Sequence, residues 1–169
     1  RWLNVTCVLG ETCRYVSPIA LMKHWYMQRL NPSSTKEMIT IVDYGAGNLR
    51  SVANTVTKLG YQSKITSHPG EVLNAQAVIL PGVGAAADTM ENLKVLGLDS
   101  LIRQLIAEDR PFFGVCIGLQ VLFTVTEEGG RHDCLDIVSG RVRKLPVGLK
   151  IPHMGWNQVN QKINHPIFN

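Results

Sequence analysis

No apolar run in these 169 residues approaches the length of a membrane-spanning helix. The N-terminal stretch also lacks the charged start, continuous apolar segment and small-residue cleavage site of a secretory signal. Cysteine is sparse: four residues, with no C-x-x-C pair among them. That excludes both a disulfide scaffold and the usual structural zinc site, and it points to a reducing, cytoplasmic setting. There is no G-x-x-x-x-G-K-[ST] phosphate loop. Gly45-Ala46-Gly47 opens like a dinucleotide fingerprint, but its third glycine would fall at Arg50. Neither a nicotinamide cofactor nor a metal is expected, and no internal repeat or low-complexity segment occurs.

Excess charge is also scarce where it would matter. The net charge is +4, but residues 1–37 carry five bases and two acids, so most of the excess sits there. The rest is almost neutral. Arg141, Arg143 and Lys144 alternate as on a solvated strand face, so neither nucleic acid nor membrane is expected as a partner.

What is present changes character at Met38. Before it no period is sustained; Ile19–Leu30 is a weak helix candidate, and Asn31-Pro-Ser-Ser-Thr-Lys36 reads as a linker. The expected organisation is an unmatched, poorly ordered extension over 1–37 and one domain over 38–169. From Met38 the pattern is orderly. Strands are predicted at Ile39–Tyr44, Ser63–Thr66, Ala77–Leu80 and Pro111–Val115, the last buried on both faces. Leu49, Val52, Ala53, Val56 and Leu59 mark one helix closed by Gly60, and Leu98, Leu101, Ile102, Leu105 and Ile106 mark another. Short alternating strands and helices imply an α/β fold, an open mostly parallel sheet with helices on both faces. Sites in such sheets form at the carboxyl ends of the strands. Three Gly-rich turns fall at that edge: Gly45–Asn48, Pro81–Gly84, and Gly114-Val-Cys-Ile-Gly118.

The third turn carries the chemistry. It places Cys116 between a strand and a helix predicted to run from Ile117 through Phe123, in the manner of a G-x-S-x-G elbow with sulfur replacing the hydroxyl. The helix N-terminus would favour the thiolate, and Cys116 is the expected nucleophile. Acyl chemistry there needs donors for an oxyanion. The amide of Ile117 is one candidate by position, and an amide of Val83 or Gly84 is the other. Gln120, one turn on, can reach a substrate amide. Asn48 is the expected N-cap of the first helix, or else a substrate or partner contact. None of the histidines at 24, 68, 132, 153 and 165 is marked by its surroundings as a general base; His68 and His132 read as solvated loop residues.

Together these stretches resemble the class I (triad-type) glutamine amidotransferases, with flavodoxin-like layering. Within them the chain is most similar to the glutaminase subunits of imidazole glycerol phosphate synthase, a histidine-biosynthesis enzyme. The matching segments are Ile41-Val-Asp-Tyr-Gly-Ala-Gly-Asn48, Leu80-Pro-Gly-Val-Gly-Ala85, Gly114–Gln120 and Pro152-His-Met-Gly-Trp-Asn157. The resemblance implies that Cys116 attacks the carboxamide of glutamine, Val83, Gly84 and Ile117 line the oxyanion hole, and Gly82 and Gln120 contact substrate. It also implies a heterodimer in which ammonia passes to a (β/α)₈-barrel cyclase subunit, with Asn48, Pro152, His153, Met154, Gly155, Trp156 and Asn157 facing that partner. No cofactor is implied. The family's catalytic His and Glu lie in an H-P-E sequence; His165-Pro166 is followed by Ile167, so the chain is expected to stop before its triad is complete and to be inactive, even with the cyclase subunit supplied. The alternatives are an amidotransferase-like module that only binds a partner, and a stand-alone cysteine hydrolase of similar fold.

Overall fold

Ile39-Thr-Ile-Val42 and Ala77-Val-Ile-Leu80 are buried along their whole length, as strands inside a covered sheet must be. The computed structural model describes residues 38–143, which lie in one compact unit, Leu30–Arg143. The expectations for Ile19–Leu30, Asn31–Lys36, Pro152–Asn157 and His165 fall outside the described residues.

The first strand, β1 (Met38–Val42), pairs in parallel with β2 (Gln62–Thr66) on one side and β3 (Ala77–Leu80) on the other. A fourth strand, β4 (Phe112–Gly114), pairs in parallel with β3, so the order is β2-β1-β3-β4. The chain runs outward from β1 to β2 and then crosses back to β3. That reversal puts a crevice at the carboxyl ends of β1 and β3.

Helix α1 (Leu49–Lys58) follows β1 and ends where Gly60 takes φ 89°, a conformation that favours glycine. Helix α2 (Pro69–Leu73) is a single turn before β3. Helices α3 (Ala86–Val95) and α4 (Leu98–Ala107) join β3 to β4. Val42, Val78 and Leu80 pack with Met90, Leu93, Leu98, Ile102 and Leu105 in one core cluster. Ile39, Ile41 and Ile79 point to the other face, are equally buried, and stand outside that cluster, as does Val56 of α1. Both faces of the sheet are therefore covered, as expected of this α/β class.

Three features depart from the sequence expectation. The helix after Cys116, α5, covers only Ile117–Gln120, and Phe123 already begins a strand. β5 (Phe123–Thr126), β6 (His132–Asp133) and β7 (Val138–Val142) form a second sheet, ordered β6-β5-β7, with β5 and β7 parallel. β4 is half-buried rather than buried on both faces, because among the described residues it pairs only with β3.

Candidate active site at the Cys116 elbow

Leaving β4, the Val115 amide still donates to the Leu80 carbonyl of β3 at 3.0 Å. The next residue, Cys116, takes φ 56° and ψ −117°. An L-residue held there carries strain of roughly 1–3 kcal/mol. The amides of Leu119 and Gln120 both donate to the Cys116 carbonyl at 3.0 Å, and Gly118 donates to Val115 at 3.0 Å. These bonds hold the strained residue in place.

The flanking glycines have a different task from the one a tight turn suggests. Neither Gly114 nor Gly118 has a positive φ. Each is required by close approach: a Cβ on Gly114 would stand 2.6 Å from the Gly118 carbonyl oxygen, and one on Gly118 would overlap the Leu80 carbonyl. The glycines let helix and strands interlock, and the cysteine bears the strain. Its side chain is exposed, while Ile117 and Gly118 beneath it are buried.

The expected macrodipole at Cys116 needs correction. A four-residue helix aligns too few peptides to build the full terminal charge. What α5 does offer is the Ile117 amide at its start, for which no backbone acceptor is seen among the described residues. Gln120 is half-buried at the end of the same helix.

The Pro81–Gly84 turn lies directly against this elbow. A Cβ on Gly82 would come within 2.5 Å of the Gly118 nitrogen and 2.7 Å of the Ile117 Cβ. Gly82 is buried and serves here as a packing residue, whereas Val83 and Gly84 are exposed beside it. The Gly45–Asn48 turn joins them: the Cβ position of Gly47 is 3.7 Å from the Pro81 side chain. Asn48 caps α1, its side chain accepting from the Ser51 amide at 3.3 Å. All three Gly-rich turns therefore converge at one edge, as the sequence suggested.

One residue of the site was missed. Tyr44 is fully buried just past the end of β1, and its hydroxyl donates to the Pro81 carbonyl at 2.9 Å. Burial raises its pKa above the usual 10.0, and the nearby charge of Cys116 adds to the rise. The Thr89 side chain and the Val83 backbone, both near the phenol, pull the other way. The phenol therefore sits within electrostatic reach of the thiol and bonds to the turn beside it. A tyrosine ending an apolar buried strand was the available signal, since a buried phenol needs a partner.

His68 and His132 are the two described histidines. His68 is the exposed N-cap of α2, and His132 lies half-buried in β6 rather than in a solvated loop. No cluster of His, Cys, Asp and Glu suited to a metal occurs among the described residues. No described helix is long and apolar enough to cross a membrane. The cavity of about 740 Å³ bordered by Met38, Thr40, Lys64 and Glu71 includes none of the elbow residues.

The sequence model of the family described as glutamine amidotransferase class-I matches residues 40–169. The chain belongs to that family. It is 57% identical over 131 residues to a Dehalococcoides mccartyi (strain CBDB1) protein named imidazole glycerol phosphate synthase subunit HisH, covering 78% of this chain and 64% of the relative. A Moorella thermoacetica protein of the same name is 52% identical, over 72% of this chain and 58% of its own. The chain thus spans 64% of the length of the first of these relatives. Among solved structures, one titled a glutamine amidotransferase superposes with a TM-score of 0.57 at 19% identity, covering 66% of this chain and 59% of that one. A putative peptidase E from Listeria monocytogenes EGD-e gives 0.52 at 16% identity, covering 69% and 71%. At such identities these two speak to the amidotransferase-like α/β fold alone.

Proposed function

We propose that this chain supplies the glutaminase centre of an imidazole glycerol phosphate synthase in histidine biosynthesis. The observation that carries the reading is an exposed cysteine, held at φ 56° on a strand-to-helix elbow against a turn with exposed backbone. Strain of that kind persists where the surrounding packing enforces it, and it clusters at reactive groups. The names of the two bacterial relatives support the choice of enzyme.

In this reading the Cys116 sulfur attacks the carboxamide carbon of glutamine. The C–S bond forms, and the carbonyl oxygen becomes an oxyanion received by the Ile117 amide and an amide of Val83 or Gly84. The C–N bond then breaks, the nitrogen takes a proton, and ammonia leaves. Water hydrolyses the glutamyl thioester and releases glutamate. Gln120 and the backbone at Gly82 hold the substrate. Ammonia passes to a (β/α)₈-barrel cyclase subunit that meets Asn48 and the Pro152–Asn157 segment. A reducing cytoplasm would keep Cys116 free.

Ammonia release from glutamine tests this, using the chain itself and a version carried to the full length of its relatives, each with a Cys116→Ala counterpart. The full-length protein is expected to release ammonia and glutamate in equal amounts, faster with the cyclase present, and Cys116→Ala to release almost none. Undiminished release by Cys116→Ala would remove the nucleophile assignment. Activity confined to non-glutamine esters would remove the substrate.

A further inference from the structure

Tyr44 reaches from just past the end of β1 to the turn that follows β3, across the crevice where the strand order reverses. Its hydroxyl donates to the Pro81 carbonyl at 2.9 Å, and the ring is only 2% exposed. The following residue, Gly82, already rests on Ile117 and Gly118. The Pro81–Gly84 turn is thus fixed from two sides, by the elbow backbone beneath and by the phenol of Tyr44, which follows β1. Val83 and Gly84, which follow, are exposed and have no such packing. Where their amides point is set by how Pro81 and Gly82 are held.

We propose that Tyr44 is a positioning residue for acyl transfer at Cys116, its hydroxyl aiming the Pro81–Gly84 turn so that an amide of that turn faces the oxyanion. The Thr89 side chain lies close enough to the same hydroxyl to hold its pKa down against burial. A donor misplaced by an ångström loses much of its value, because oxyanion stabilisation depends on donors already in place when the charge develops. The inference rests on Cys116 being an acyl-accepting nucleophile, but not on glutamine being the substrate.

The test separates a reaction that builds an oxyanion from one that does not. With p-nitrophenyl acetate, the Cys116 sulfur bonds to the ester carbon and its proton passes to solvent. The tetrahedral oxyanion collapses, the C–O bond breaks, and p-nitrophenolate leaves as the anion, with no general acid required. Iodoacetamide instead alkylates the same sulfur by direct displacement of iodide, with no oxyanion. Both are measured on the intact chain, with Cys116→Ala as the blank for other thiols and peptide mass spectrometry to locate the label.

Tyr44→Phe keeps the ring and removes the hydroxyl. It should slow the acetate burst about tenfold or more while leaving Cys116 alkylation within about twofold. Should that variant not fold, Thr89→Val removes the hydroxyl beside the phenol and should give the same split, at about threefold. Equal slowing of both reactions would overturn the proposal, since the phenol would then act on the thiol or on the fold. Unchanged acylation would overturn it too, as would faster acylation, which would mean that the hydroxyl withholds the donors. The glutamate γ-p-nitrophenyl ester, run alongside on wild type, keeps the two readings apart. No preference for it over the acetate would count against glutamine and leave the Tyr44 comparison intact.

Discussion

Gly118 lies so close to Leu80 that a Cβ on the glycine would overlap the leucine's carbonyl oxygen. That oxygen already accepts the Val115 amide at 3.0 Å. Backbone therefore meets backbone, and neither side can turn away as a flexible side chain would. The contact fixes the start of α5 against the end of β3, and with it the height of Cys116 above the sheet.

Gly118→Ala should consequently destabilise the protein by about 3 kcal/mol or more, at the upper end of overpacking costs. Gly60 offers the contrast, since it has φ 89° but open space around its Cβ position. Gly60→Ala should cost only about 1 kcal/mol, from backbone strain alone. Urea titration of the two variants measures both. Equal losses would mean that the elbow relaxes around a methyl group.

Accessibility should rank the thiols. Cys116 is exposed, whereas Cys134 is 6% exposed and burial raises its pKa. Limiting iodoacetamide at neutral pH should label Cys116 well ahead of Cys134, because alkylation needs both access and thiolate. Peptide mass spectrometry reads the ratio, and faster labelling of Cys134 would contradict the structure of the elbow.

The elbow, β1, β3, α1 and α4 were legible because their apolar spacing is continuous. Helix α3 was not, for a reason its buried face makes plain. Ala86, Thr89, Met90 and Leu93 have helical spacing, but alanine and threonine do not register as an apolar stripe. β5 was lost to the helix predicted through Phe123, since Val121, Leu122 and Phe123 fit either period until Thr124-Val-Thr126 settles into alternation. At the site, sequence marked the three turns but could not reveal what joins them. Contacts such as Tyr44 to Pro81 and Gly118 to Leu80 span 37 and 38 positions of chain and leave no local pattern.

Two buried groups should make the fold sensitive to alkali. Burial raises Cys134 above the ordinary thiol value of 9.0 and Tyr44 above 10.0. Each holds its proton longer folded than unfolded. Their contribution is complete below the unfolded values and is lost as pH rises through the folded ones. Melting temperature should therefore start to fall above about pH 9, and Cys134→Ala should delay that onset toward the tyrosine range. An identical pH profile in wild type and variant would remove Cys134 as a cause.

Asn48 gives the last test, because it has both a visible task and a proposed one. Its side chain caps α1 through the Ser51 amide, but 3.3 Å is long for such a bond. Asn48→Ala should therefore cost about 0.5–1 kcal/mol, the lower part of the capping range. Serine caps nearly as well as asparagine, so Asn48→Ser should recover most of that stability. The proposed partner contact, by contrast, would need the exposed carboxamide, which serine lacks. Stability should follow capping strength across Asn, Ser and Ala. Stimulation of glutamine hydrolysis by the cyclase should instead weaken in both variants of the full-length protein. Calorimetry and ammonia release, run on the same samples, separate these responses. Full stimulation in Asn48→Ser would make the residue a cap and nothing more, and it would move the partner surface away from the Gly45–Asn48 turn.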